Sequence, residues 1–280
     1  PDMARTWARE RGLPAYRGQQ VFEALYRGAP RRFAEITVLP KDLRTALDAD
    51  AALLPAHEVT AEDAADGTRK SLLGFVDAGR AECVSIPTAS RHTVCVSSQV
   101  GCAVGCTFCA SGLDGVDRSL TADEIVYQVV HHHHRRPVSN VVFMGSGEPL
   151  FNYDAVLRAI RILAEPRGLG LGRRRFTVST SGVPDRIRQL GRDEPQVTLA
   201  LSLHAPDDAT RSRLVPLNRR WPIAELMAAM DDYRRLVNRR ITIEYVLLRD
   251  ANMRDNQARA LAELAQRYAA HINLIPFNPF

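Results

Sequence analysis

Residues 93–109 read Thr93-Val94-Cys95-Val96-Ser97-Ser98-Gln99-Val100-Gly101-Cys102-Ala103-Val104-Gly105-Cys106-Thr107-Phe108-Cys109, a strand candidate that runs into a cysteine loop. The three cysteines of the loop stand at C-x3-C-x2-C spacing, and Gly101 and Gly105 let the backbone turn the thiols toward one centre. Three thiolates are one short of a closed structural zinc site, whereas a [4Fe-4S] cluster held by three leaves one iron open. On spacing alone, a zinc loop completed by Cys95 or Cys83, or a redox-active surface loop, remains open.

Outward from this stretch, strands and helices alternate to the end of the chain. The strand candidates are 93–98, 140–144, 175–179, 197–202, 241–248 and 271–276, with helices starting near Thr121, Tyr153, Val183, Pro222 and Arg254. Thr121 and Glu124 have the spacing of a capping box, and Pro222 suits a first helical turn, where its missing N–H costs nothing. Six strands joined by five helices predict parallel pairing through right-handed crossovers. The expected fold class is α/β, an open partial (β/α)6 barrel with reactive residues at the carboxyl ends of its strands.

Ahead of the barrel, 1–54 reads as a small helical module, with Val21, Phe22, Leu25 and Tyr26 on one helical face. Arg5, Arg9, Arg11, Arg17, Arg27, Arg31 and Arg32 make it basic, which suits a solvated helical surface and RNA phosphate contact about equally. Residues 55–90 are expected to form a linker and a short β-hairpin, 72–76 and 82–86, turning at Asp77-Ala78-Gly79. The barrel core is expected over 91–280.

Composition narrows the class further. At 280 residues and 45% hydrophobic the chain can bury a full-sized core, and no run of eighteen apolar residues is present to span a membrane. The N-terminus lacks a signal-peptide pattern, and it does not begin with Met, so a fragment of a longer chain is expected. Five cysteines, three of them clustered, point to a reducing cytoplasm and away from a disulfide framework. A net charge of +5 permits a polyanionic partner. The run His131 to His134 falls at a helix end, where four successive side chains point around the axis, which argues against a metal site.

Polar and small residues recur where strands end. Gly145-Ser146-Gly147-Glu148-Pro149 follows the second strand, and Glu148 can accept a hydrogen bond from an ammonium or hydroxyl group. Ser179-Thr180-Ser181-Gly182 follows the third, Ser202-Leu203-His204-Ala205-Pro206 the fourth, and Asn278 the sixth.

A C-x3-C-x2-C loop after a first strand, followed by G-x-G-E, resembles the radical S-adenosylmethionine (SAM) enzymes. Longer runs at 94–102, 140–145, 174–182, 202–206 and 273–279 resemble one family among them, the dual-specificity 23S rRNA/tRNA adenine-C2 methyltransferases (RlmN), in family order across nearly the whole chain. The resemblance implies that Cys102, Cys106 and Cys109 hold a [4Fe-4S] cluster. It implies that Gly147, Glu148, Ser179, Ser202, Leu203, His204 and Asn278 contact S-adenosyl-L-methionine. It gives Cys95 the role of the thiol that resolves a covalent protein–RNA intermediate, and Glu82 that of proton acceptor. Without it, Cys95 reads as a buried small thiol on a strand and Glu82 as a surface acid beside a hairpin.

The same resemblance implies a reaction. One SAM methylates a protein cysteine, and a second supplies a 5′-deoxyadenosyl radical that removes hydrogen from that methyl group. The carbon radical adds to electron-poor adenine C2, and a second thiol releases methyladenosine with formation of a disulfide bond. The target base must leave its stack to be reached. Expected partners are 23S rRNA and tRNA and an electron donor such as flavodoxin or ferredoxin, with a monomeric, cytoplasmic chain and no membrane. Arg173, Arg174, Arg175, Arg211, Arg213, Arg219, Arg220, Arg239 and Arg240 are candidates for gripping phosphates.

Three departures from the family pattern stand out: Ser146 where Met is usual, Ala251-Asn252-Met253-Arg254 after the fifth strand, and no cysteine after Cys109. The methyl-carrying cysteine of the family lies beyond the sixth strand, so truncation is the expected explanation of the last. The sister activity at adenine C8 (Cfr) is disfavoured by Pro149 and Ala205. A catalytically silent iron–sulfur RNA-binding protein is the alternative from another class.

Overall fold

The computed structural model describes every residue except Pro1, Ala29, Ala51, Asn238 and Phe280. Among the described residues the helices are α1 (Asp2–Glu10), α2 (Ala15–Arg27), α3 (Lys41–Asp50), α4 (Ala122–His133), α5 (Tyr153–Leu163), α6 (Pro184–Asp193), α7 (Asp208–Leu214), α8 (Ile223–Leu236) and α9 (Asp255–Tyr268). The strands are β1 (Ala56–Asp63), β2 (Arg69–Phe75), β3 (Arg80–Pro87), β4 (His92–Cys95), β5 (Gln99–Gly101), β6 (Val116–Ser119), β7 (Asn140–Phe143), β8 (Phe176–Thr180), β9 (Thr198–Ser202), β10 (Thr242–Leu247) and β11 (His271–Pro276).

One nine-stranded sheet runs in the order β1-β2-β3-β4-β7-β8-β9-β10-β11, and β5 and β6 form a separate pair. The six strands from β4 onward pair in parallel, with helices in every crossover, which makes the open (β/α)6 partial barrel expected from the alternation. The expected hairpin is the inner part of an antiparallel meander, β1-β2-β3, that continues the sheet through β3–β4 pairing.

The side-chain period of two sorts each parallel strand into two faces. Val94, Val141, Phe143, Phe176, Val178, Leu199, Leu201, Ile243 and Tyr245 are buried in one core cluster with apolar residues of α4, α5, α6 and α8. The alternate positions form the opposite, concave face. Cys95 is in register with Val142, and Val142 with Thr177; Ser202 is in register with Glu244, and Glu244 with Asn273. A parallel sheet covered on both faces reads as continuous apolar runs. Polar residues at the alternate positions mark this face as a working surface.

Local chemistry sets the helix boundaries. At α4 the capping box forms: the Thr121 backbone N–H donates to Glu124 Oε2 (2.8 Å), and the Glu124 N–H donates to Thr121 Oγ1 (3.4 Å). Pro222 lies one position earlier than expected, as the N-cap of α8, where its carbonyl accepts the N–H of Leu226. Two helices, not one, link β9 to β10. The extra one, α7, starts at Asp207, whose carboxylate takes the Thr210 N–H at 2.8 Å. At seven residues α7 is too short to show a periodic apolar face.

In the helical module Val21, Phe33, Ile36, Leu39 and Leu47 form a small core of their own, with Trp7 stacked on Phe33 at 6.0 Å. Phe22 and Tyr26 instead join the barrel core, so α2 fastens the module to the sheet. The four histidines at the end of α4 reach four different partners. His131 bonds Glu58 (2.8 Å), His132 bonds Cys83 (3.3 Å), His133 accepts the Val138 N–H (3.2 Å), and His134 meets the Leu25 backbone. No described helix is long and apolar enough to cross a membrane.

Candidate active site

The cysteine loop is fixed at its base and at its tip. Gly101 has φ +76°, and a Cβ there would lie 2.2 Å from the Gly115 carbonyl oxygen, so only glycine fits where β5 pairs with β6 at an irregularity in their register. The Cys102 N–H donates to that same carbonyl at 2.7 Å, and the Thr107 N–H donates to Leu214 O at 3.0 Å. Val104 is buried with Ala205, Leu214 and Val215, with Cys102, Cys106 and Phe108 packed against them. The loop after β4 is therefore docked on the turn after β9.

Loop and strand ends together enclose a cavity of about 380 Å³. Cys102, Cys106 and Cys109 line it, as do Gly147, Glu148, Ser179, Ser202, His204 and Asn278. Leu203 does not: its side chain is fully buried in the core, and only its backbone is near, its N–H donating to Glu244 O and its carbonyl accepting Arg211 Nε–H. The cavity also takes in Thr180 and Ser181 of the third strand end, and Met144, Glu244, Val246 and Ile275, which reading strand ends one at a time does not single out.

Glu148 is 2% exposed; its Oε2 accepts the Ser181 N–H (2.7 Å) and its Oε1 the Leu150 N–H (3.0 Å). Burial raises its pKa, and these backbone donors partly offset the rise. The turn that delivers Glu148 needs glycine at 147, since φ is +102° and a Cβ would stand 2.6 Å from Gln99 Cβ. Ser146 knits this turn to its surroundings: its N–H donates to Ser97 Oγ (2.9 Å), its carbonyl accepts from Ser98 and Gln99, and its hydroxyl meets Ser111 Oγ of the cysteine loop at 3.2 Å. The hydroxyl thus adds a direct tie between two loops.

His204 has φ +57°, a left-handed conformation uncommon for a residue with a Cβ. Its Nδ1 accepts the Val246 N–H (3.1 Å), which leaves the proton on Nε2, and burial holds its pKa down to about 3, so the ring is neutral. Asn252 clamps the strained turn from behind, donating to His204 O (2.8 Å) and Val246 O (2.6 Å) while accepting the Leu248 N–H (2.8 Å). The 251–254 segment, which departs from the family pattern, is thus structural at Asn252.

Arg211 corrects an expectation. It is 1% exposed and cannot grip a phosphate at the surface. It donates to Ser181 O (2.5 Å), Leu203 O (3.0 Å), Ser202 O (3.3 Å) and Asn218 Oδ1 (2.8 Å), tying the ends of β8 and β9 to α7. Burial pulls its pKa down to about 10, still charged at neutral pH.

Cys95 and Glu82 lie outside the cavity wall. Cys95 is on the concave face, and its sulfur takes the backbone N–H of Met144, a cavity residue; burial pushes its pKa up to about 11. Val84 pairs with Cys95, so Glu82, two residues along β3, shares that face, and its exposed carboxylate lies 3.5 Å from Lys70 Nζ. Cys83 points the other way, toward α4.

The cysteine set can be tested for fit to an iron–sulfur group. Burial, with the charges of Cys102 and Cys109 adding to it, pushes the Cys106 thiol up to about 12; burial, Glu148 and Cys109 raise Cys102 likewise. Three thiolates held this close need positive charge among them, which Arg211 supplies only in part. Among the described residues no three His, Cys, Asp or Glu side chains gather to hold a single metal ion. Three soft donors around open space, with all five cysteines free, fit an iron–sulfur group better than a closed zinc site.

Comparison with known proteins points the same way. Residues 96–262 match the model of the Radical SAM superfamily. The chain is 45% identical to a probable dual-specificity RNA methyltransferase RlmN of Desulfitobacterium hafniense, covering 96% of this chain and 79% of that one. It is 46% identical to the corresponding protein of Thermosynechococcus vestitus, covering 98% and 81%. A crystal structure of a radical SAM methyltransferase from Sphaerobacter thermophilus superposes with a TM-score of 0.94 at 47% identity, covering 98% of this chain and 82% of that one.

Proposed function

Because the chain belongs to the radical SAM family of dual-specificity RNA methyltransferases, RlmN, we propose that its cavity and concave face form the site at which C2 of adenine in 23S rRNA and tRNA is methylated. The observation that supports this most is the arrangement of one cavity lined by the three loop cysteines and bordered by Met144, whose backbone holds Cys95. The family works with a [4Fe-4S] cluster and S-adenosyl-L-methionine, whose reductive cleavage supplies a 5′-deoxyadenosyl radical.

Cys102, Cys106 and Cys109 would hold the cluster, and Gly147, Glu148, Ser179, Ser202, His204, Asn278 and the Leu203 backbone would hold the cofactor. Glu148 and His204 suit that work because their partners fix them: the carboxylate is oriented by two backbone donors, and the neutral ring presents one N–H. Arg211 keeps the ends of β8 and β9 together behind them. The apolar seat of the cysteine loop would help keep water from the inner wall.

The residues of the concave face would complete the transfer. At a pKa of about 11 Cys95 is a protonated thiol at neutral pH, so its attack on the sulfur of the methyl-carrying cysteine, which forms the S–S bond as the bond from that sulfur to the RNA-bound carbon breaks, requires that the proton leave. Glu82 is exposed on the same face and would accept a proton there. The target base must be extruded to reach this face, and the exposed arginines outside the cavity would grip the phosphates around it. The cytoplasm as its compartment, an electron donor such as flavodoxin or ferredoxin, and action as a monomer complete the proposal.

The test is Cys95→Ala in the full-length protein, turned over on unmodified RNA with SAM and reductant. A covalent protein–RNA adduct that accumulates in place of product supports the reading. Normal turnover without adduct removes Cys95 from the reaction.

A further inference from the structure

A row of polar side chains crosses the concave face from strand to strand, and one member has no role so far. Ser179 Oγ on β8 and Ser202 Oγ on β9 are hydrogen-bonded at 3.0 Å. Ser202 is in register with Glu244 on β10, and Glu244 with Asn273 on β11. Glu244 lines the cavity and is 5% exposed, with burial raising its pKa. Among the described residues it has no cationic partner. Asn273 Nδ2 donates to its Oε2 at 2.7 Å, and among the described residues nothing donates to its Oε1. A carboxylate buried with one donor is under-satisfied, since an ionised carboxylate can accept about four hydrogen bonds.

Its backbone is not free to withdraw. Glu244 O accepts the N–H groups of Leu203 (3.1 Å) and His204 (3.3 Å), so the turn after β9 and the carboxylate are set by one peptide. The side chain is therefore held at the wall, with an oxygen offered to whatever fills the cavity.

We infer that Glu244 is a specificity residue of the cofactor site, whose carboxylate accepts hydrogen bonds from the ribose hydroxyls of S-adenosylmethionine beside Ser179 and Ser202. The inference rests on the reading of this cavity as the cofactor site. Among the groups the cofactor carries, its carboxylate is repelled by Glu244. Its amino-acid end belongs with the cysteine loop, where Glu148 is a carboxylate whose charge reaches both Cys102 and Cys106. The vicinal hydroxyls are neutral donors that match an acceptor set in a row of serines. A neutral hydroxyl also costs less to desolvate than a second charge.

Equilibrium binding to the reconstituted, full-length protein tests this with Glu244→Gln, which keeps shape and removes charge. Binding is read by titration calorimetry and by the spectrum of the reduced cluster on adding ligand. The probes are S-adenosylmethionine and its 2′-deoxy and 3′-deoxy analogues. Loss of a charge-assisted hydrogen bond predicts about tenfold or more weaker binding of S-adenosylmethionine by the variant, with a much smaller difference for at least one deoxy analogue. Equal weakening for all three probes, or none for any, overturns the assignment. If the parent protein itself fails to bind S-adenosylmethionine, the cofactor-site reading fails and takes the inference with it. Asn273→Ala separates the two oxygens: the selectivity for hydroxylated over deoxy probe is retained if Glu244 is the reader, and its loss contradicts that.

Discussion

Arg211 Nη2 donates to the carbonyl oxygen of Ser181 at 2.5 Å, joining α7 to the end of β8 through a guanidinium with no ion-pair partner among the described residues. The same group holds Leu203 O and Ser202 O at the end of β9, and Asn218 Oδ1. A lysine cannot reproduce that fork. With three donors for four acceptors, Arg211→Lys leaves at least one buried acceptor without a donor, which costs roughly 1–3 kcal/mol by the usual penalty for such a group. Urea denaturation of parent and variant checks this; a difference below about 0.5 kcal/mol, the scale of an ordinary surface substitution, contradicts the role.

Gly147 is required by backbone and by space. Gly147→Ala must place a Cβ at φ +102° against Gln99, and the peptide that carries Glu148 has to shift. We expect a loss on the order of 1–3 kcal/mol in stability, the range for a residue forced into a sparsely populated backbone region. Binding of S-adenosylmethionine should fall with it. Calorimetric melting and ligand titration read the two effects, and parent-like values for both refute the account of this turn.

Burial first, and then the charges of Cys102 and Cys109, drive the Cys106 thiol toward its protonated form, so its ionised state should depend on the cluster. Cys106→Ala should abolish both the brown cluster chromophore and cleavage of S-adenosylmethionine after anaerobic reconstitution. A variant that keeps a reducible cluster and full cleavage removes Cys106 from the ligand set.

Acid should loosen the fold through its buried imidazoles. Burial holds His132 near a pKa of about 3, below the ordinary 6.5, and its Nδ1 has no hydrogen-bond partner among the described residues. Between those values the unfolded chain binds a proton that the folded chain does not, so stability is full above about 6.5 and lost as pH falls through the window. His204 adds in the same direction. Melting temperatures of parent and His132→Leu at about pH 7 and about pH 5 should show a smaller acid loss in the variant. An equal loss in both excludes His132 as a source.

How much of this was legible in the chain depends on the range of the signal. The barrel strands and the helices after Thr121, Tyr153, Val183 and Arg254 were legible because apolar periodicity and capping residues are local. The cavity residues at Cys102, Cys106, Cys109, Glu148, Ser179, Ser202 and His204 were legible as strand-end residues in a parallel fold. Glu244 was not, because its place beside Ser202 and Asn273 is set by sheet register between strands far apart in sequence. Arg211 was misread as a surface cation: its neighbours in sequence are polar, and the carbonyls that bury it come from Ser181, Ser202 and Leu203. Strand β1 was hidden because Ala56–Asp63 carries Glu58, Glu62 and Asp63, and the groups that make that charge tolerable, Arg69 and Lys70 of β2 and His131 of α4, are distant in sequence or on the next strand.

The most direct measurement is nucleoside mass spectrometry after anaerobic reaction of the reconstituted full-length protein with S-adenosylmethionine, reductant and unmodified 23S rRNA or tRNA. The account predicts 5′-deoxyadenosine together with 2-methyladenosine. Deoxyadenosine with 8-methyladenosine, or with no methylated base, contradicts it.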